Sequence, residues 1–241
     1  MSVDLGSQIR MAQNALQSIN SGARPPTAER SVATVSNATA DDASIDWRVS
    51  LSVPNEFQSS PILTPFGNTD NKMIFPFNPQ VLLGHTANYN LIDPTHNNFP
   101  YHAYQNSQVD NITLTGEFFT ENQEDAKYWI ACVHFLRSAT KMFYGEGNDP
   151  QGNPPIISRL NGYGKHVLNN IPVVITNFTT DISNDVDYIE CEVGNGEVNY
   201  VPTQSVITVT CAPNYARRQQ ARFSLNKYVN GEFIGGPEGF V

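Results

Sequence analysis

Between residues 109 and 144 a two-residue repeat gives way to a helical one, and few folds satisfy both halves. Val109, Asn111, Thr113 and Thr115 alternate with Ile112, Leu114 and Phe118, which predicts a half-buried strand whose register blurs at Gly116. Thr120 and Gln123 have the spacing of a capping box, and Glu121, Glu124 and Asp125 suit the positive end of a helix dipole. A stripe of Ala126, Trp129, Ile130, Val133 and Leu136 then recurs at steps of three and four, as a helix with one buried face requires. Gly145 supplies a stop. The stretch predicts a strand feeding a helix over 120–144 whose core side is Trp129, Ile130, Val133 and Leu136.

The flanking sequence surrounds this unit with strands. Trp47, Val49, Leu51 and Val53 alternate with polar residues up to Pro54, the pattern of a first strand. Apolar runs at 61–64 and 73–77 flank the turn PFGNTDNK, and extended segments at 88–92 and 101–107 flank the loop DPTHNNFP. Segments 171–179 and 188–193 read as a pair across TTDISNDVD, and 205–211 as a last strand with Ile207, Val209 and Cys211 on one face. Ahead of all this, Leu5, Ile9, Ala12, Leu16 and Ile19 form a helical stripe within 1–20. A helix that short is marginal in water without something to lie on. Residues 21–44 read as a linker, 45–211 as the β domain and 212–241 as a flexible tail carrying Arg217, Arg218 and Arg222. The expected class is mainly β within α+β.

Charge narrows the function. A formal net charge of −9 over 241 residues repels DNA and lacks the basic face that phosphate contacts need. Three cysteines, 132, 191 and 211, are an odd number without tight spacing and read as reduced core residues. No apolar run approaches membrane-spanning length, and Met1 leads into polar sequence, so neither a span nor a signal peptide is expected.

No chemistry stands out among the reactive residues. His85, His96, His102, His134 and His166 are scattered without metal-site spacing. Asp181, Ser183, Asp185, Asp187 and Glu192 resemble a calcium loop, yet Val186 stands where its sharp turn needs glycine. An acidic turn entering a strand with Glu190 and Glu192 on its outer face is the preferred reading. GYGKH lacks the spacing of a phosphate loop, and Cys132 and His134, two apart on a helix, point in different directions. No catalytic residue, cofactor or metal is expected. Tethered helix, long polar hairpins and basic tail are instead the parts of an assembly subunit, with Leu5, Ile9, Leu16 and the three arginines as subunit contacts. A carbohydrate-binding β-sandwich using Tyr101, Tyr104 and Tyr163 is the alternative from another class.

Four stretches carry a resemblance: 73–145 (MIFPFNPQVLLGHTANYNLIDPTHNNFPYHAYQNSQVDNITLTGEFFTENQEDAKYWIACVHFLRSATKMFYG), GNPPIISRLNGYG at 152–164, IPVVITNFTTDISNDVDYI at 171–189 and VPTQSVITVTCAPNYARRQQARFSL at 201–225. Together they resemble the tail-tube-like baseplate proteins of contractile-tailed bacteriophages, in particular the tail tube initiator and tube-cap proteins of T4-like myoviruses, including those infecting cyanobacteria. The resemblance implies a β-sandwich or half-barrel with one packed helix. It further implies a ring of six copies on the baseplate hub, next to tail tube or initiator rings, around a channel that DNA transits without specific binding. It places the protein in the virion after assembly in the host cytoplasm, with no membrane partner. Asp187, Glu190 and Glu192 would line the channel, and the strands at 111–119 and 171–193 would supply wall and ring contacts. The main tail tube subunit is the same-class alternative.

Overall fold

The computed structural model describes residues 47–143, 152–193, 196–233 and 239–241, all within the unit Ile45–Val241. The predicted N-terminal helix, the linker and Gly145 lie outside the described residues.

Eleven strands follow in chain order among these residues: β1 Ser50–Ser52, β2 Lys72–Ile74, β3 Gln80–Leu82, β4 His85–Ile92, β5 Tyr101–Val109, β6 Ile112–Phe119, β7 Ile157–Gly162, β8 Leu168–Asp181, β9 Tyr188–Val193, β10 Glu197–Pro202 and β11 Gln204–Pro213. Seven make one antiparallel sheet in the order β2-β1-β7-β8-β11-β6-β3, while β9–β10 and β4–β5 are separate two-stranded pairs. The chain is mainly β, of the α+β class, with one long helix, α1 (Gln123–Ala139).

Period two decides which side of the sheet is covered. In β6, Ile112, Leu114, Gly116 and Phe118 face inward, and in β11 Ser205, Ile207, Val209 and Cys211 do the same. The register does not blur at Gly116. A Cβ there would sit 2.5 Å from the Phe75 ring, so glycine keeps the alternation and leaves room for the aromatic that covers it. Val109 belongs to β5, not to this strand. Val49, Leu51 and Val53 are buried as their alternation predicts, whereas Trp47 is 59 % exposed.

Helix α1 starts two residues later than its capping box suggests. Thr120 is buried and its amide donates to the Thr203 carbonyl at 2.9 Å, so the chain still follows the sheet there. Asn122 is the cap: its Oδ1 accepts from the Asp125 amide at 2.8 Å, and the Asp125 carboxylate reaches back to the Glu121 amide at 3.3 Å. The helix stops at Ala139, short of 144, where Ser138 Oγ donates to the His134 carbonyl and Thr140 Oγ1 to the Arg137 carbonyl. Hydroxyls that bond to helix carbonyls compete with the next turn.

The buried arc of α1 is wider than one stripe. Ala131, Cys132, Phe135, Leu136 and Ala139 join the main core with Val133. Ala126, with half-buried Trp129 and Ile130, meets Cys191, Val193 and Val201 of the β9–β10 hairpin. The predicted stripe therefore straddles two contacts and omits Phe135, which is fully buried.

Three further expectations are corrected. Residues 61–69 form a 3-10 helix, not an extended run: Pro61 and Pro65 preset the backbone, and Leu63 and Phe66 are buried, with Phe66 edge-on to Tyr128 and Phe135. Segments 171–179 and 188–193 do not pair. β8 lies between β7 and β11, while β9 pairs with β10 across only three intervening residues, the shorter and less costly loop to close. The described part of 212–241 is not a loose tail. Tyr215, Phe223, Tyr228, Phe233 and Phe240 stack into one aromatic cluster, and Val241 packs on the main core, its amide donating to Tyr215 Oη at 3.3 Å.

Candidate functional site

Two surfaces are left with work to do. The first is the β4–β5 ribbon, inserted between β3 and β6. Its base is pinned where the Asp110 amide donates to the Gly84 carbonyl at 2.9 Å and Thr86 Oγ1 donates to the Asp110 carboxylate at 2.8 Å. Beyond that junction no residue of either strand is buried. A bulge after Asn88 shifts the register so that Tyr89 faces Tyr104, their rings 5.6 Å apart and edge-on. Tyr89, Leu91 and Tyr104 thus share one face, and Ile92 and Tyr101 the other. Asp93 is the one acidic or basic residue between 85 and 109, histidines aside. A two-stranded ribbon is marginal by itself in water, and charge is the usual protection for exposed strand edges. This ribbon has apolar side chains on both faces and almost no charge.

The second surface is the open face of the large sheet. On β6, β11 and β8 the outward residues stand in rows: Thr113, Thr210 and Asn177, then Thr115, Thr208 and Thr179, then Glu117, Val206 and Asp181. Thr115 Oγ1 and Thr208 Oγ1 lie 3.3 Å apart across the strands. The face is rich in hydroxyls, carries carboxylates at one end and has no lysine or arginine in these rows.

The acidic residues singled out by spacing lie elsewhere. Asp187 precedes β9, and Glu190 and Glu192 project from its outer face, opposite Tyr200 and Val198. All three are exposed, but the hairpin rests on α1 and is not part of the seven-stranded sheet. Glu192 sits in paired strand, where it faces Val198, and Ser183 Oγ donates to Asp185. That hydrogen bond holds the Asp185 carboxyl below its ordinary range. Among the described residues no three His, Cys, Asp or Glu side chains are grouped to hold a metal ion.

Other named residues are structural in their contacts. Trp129 Nε1 donates to buried Ser205 Oγ at 2.8 Å. Tyr128 Oη accepts from the Ile74 amide and donates to the Ile74 carbonyl, both at 2.7 Å, acting as a neighbour for the β2 edge. The three cysteines are buried and free; burial pushes the Cys211 thiol up to about 12 and raises those of Cys132 and Cys191. Arg217, Arg218 and Arg222 are exposed in and just after a single turn of helix, Arg217–Gln220. Leu5, Ile9 and Leu16 fall outside the described residues. The glycan-platform tyrosines do not converge: Tyr101 and Tyr104 take opposite faces of the ribbon, and Tyr163 is in the β7–β8 turn with its hydroxyl on the Pro79 carbonyl.

By sequence, β6 and β8 enter a wall only through the resemblance, without the threonine rows they share with β11, and the ribbon reads as a polar hairpin. Alternating threonines at 113/115 and 208/210, and a run of 25 residues in which, histidines aside, Asp93 is the one acidic or basic residue, were the available signals. Among the described residues no helix is long and apolar enough to cross a membrane. No protein-family model matches the chain, and no curated protein matches its sequence.

Proposed function

We propose that this chain is a structural ring subunit of a contractile phage tail, one that initiates or caps the tail tube on the baseplate hub. The observation that carries the reading is the β4–β5 ribbon, with exposed apolar side chains on both faces and nearly free of charge, which needs a neighbour on each side. A closed ring supplies two neighbours to every copy. The wall of the DNA channel is the threonine face of the large sheet, in place of β9. Hydroxyls with Glu117 and Asp181 give a wetted, weakly acidic lining that like charge keeps from holding transiting DNA. Asp187, Glu190 and Glu192, the three arginines and the N-terminal stripe then contact adjacent copies, the hub or the next ring. The protein resides in the virion tail, and the reading assigns it no catalytic residue, cofactor or metal. Electron microscopy of the purified protein with and without hub tests this. Six-membered rings on hubs are expected, and a monomer that hubs never recruit, above all one that binds glycans, overturns it.

A further inference from the structure

At the base of the ribbon lies an apolar groove of about 600 Å³. One wall is the ribbon itself, including Tyr104 and Val109; the other is the segment after β11, with Tyr215, Phe223, Leu225 and Tyr228. Leu225, in the groove wall with Phe223 and Tyr228, is 65 % exposed. The groove ends along the ribbon at the level of Tyr104. Three more residue pairs, Asn90–Ala103, Leu91–His102 and Ile92–Tyr101, separate it from the loop at 93–100, a distance of about 10 Å at strand rise. That loop presents Phe99 between Asn98 and Pro100, and Phe99 is 77 % exposed. The tip therefore does not fill its own groove.

We infer that Phe99 and the ribbon tip of one copy seat in the groove at the ribbon base of the next copy, giving a head-to-tail contact. This deepens the ring reading and rests on it. The occupant is argued from this chain's own surfaces. The exposed Tyr89, Leu91, Ile92, Phe99 and Tyr101 together present on the order of 600 Å², about three quarters of the roughly 800 Å² that each partner buries in a stable contact. Electrostatics agree. Two copies at −9 each repel, but the tip brings a single like charge, Asp93, toward a groove lined by no Asp or Glu side chain, so the penalty at this contact is small. Tip and groove are different patches of one surface, so the contact is heterologous, and repeated copies close a ring or grow a filament.

Cysteine pairing tests the placement, because the three native thiols are buried. A Phe99→Cys chain is mixed with a Leu225→Cys chain of different tag length, in the presence of hubs, and oxidised. The expected result is a heterodimer at least about fivefold more abundant than when Phe99→Cys is mixed with Asn68→Cys, an exposed site on the 3-10 helix away from the groove. Rings that assemble normally but give equal or no Leu225 cross-linking, or Leu225 linked only to a hub protein, sink the contact and leave the ring reading standing. Wild-type chain that forms no ring with hubs sinks both. Phe99→Ala supplies a second measurement: it leaves the unfolding midpoint unchanged and lowers ring yield about tenfold, and undiminished yield overturns the inference.

Discussion

Gly116 shows how much one missing side chain settles. Phe75 occupies the space above it, in contact with Phe118, so the sheet has an aromatic where a Cβ would stand. Gly116→Ala forces the buried Phe75 ring aside, and a loss of about 1–3 kcal/mol in urea unfolding is expected. Cys211 makes a prediction in pH. Its thiol stays protonated in the folded chain up to about 12, whereas the ordinary value is 9.0. Above 9 the unfolded chain gives up the proton and the folded chain keeps it, so stability is complete below 9 and falls through the window from 9 to about 12. The slope approaches roughly 1.4 kcal/mol per pH unit for each such thiol. Denaturant midpoints of wild type and Cys211→Ala between pH 8 and 11 check it, and the variant should have the shallower alkaline decline.

Among the elements, the two edges of the large sheet are treated differently. β2 ends at a tyrosine hydroxyl that both accepts and donates to Ile74, so α1 seals that edge. Tyr128→Phe removes both bonds and leaves an amide and a carbonyl without their partner, and a loss of about 1–3 kcal/mol is expected. Amide exchange should rise at Ile74 before it rises in β8 or β11. The other end of the sheet runs from β3 directly into the ribbon. Because Gly84 and Asp110 are hydrogen-bonded neighbours at its base and no ribbon residue is buried, replacing 85–109 by a short turn should keep the body folded. Circular dichroism and unfolding should match the parent to within about 1 kcal/mol, while ring assembly is lost. A body that fails to fold after this excision would show that the ribbon is part of the core.

For the whole molecule, the proposed ring turns two solvent-facing surfaces into an interface and a channel wall. If the threonine face lines the channel, converting Thr115 and Thr208 to lysine places positive charge on the DNA path without touching the core side of the sheet. Rings should still form, and DNA release from assembled tails should slow, with the retardation relieved by salt. Unaltered release from such tails would move the wall elsewhere and return Asp187, Glu190 and Glu192 to consideration.

The extent of legibility follows from the range of the forces. Alternation in β6 and β11, the existence of α1, and burial of all three cysteines were readable, since burial repeats at the period of the backbone and needs no knowledge of partners. Helix ends were misplaced because Thr120, Ser138 and Thr140 make bonds whose competition local spacing does not rank. Strand partners were not readable either: 188–193 suits β8 as well as β10, and loop length together with the second apolar face of α1 chose β10. By itself, then, the sequence determined the class, the inward faces and the central helix, all set within a few residues of chain. Only the tertiary structure decided that threonines from three distant strands form one open face and that a nearly uncharged ribbon stands clear of the body. The first depends on contacts such as Thr115–Thr208, between segments about 90 residues apart, whose register no local pattern encodes.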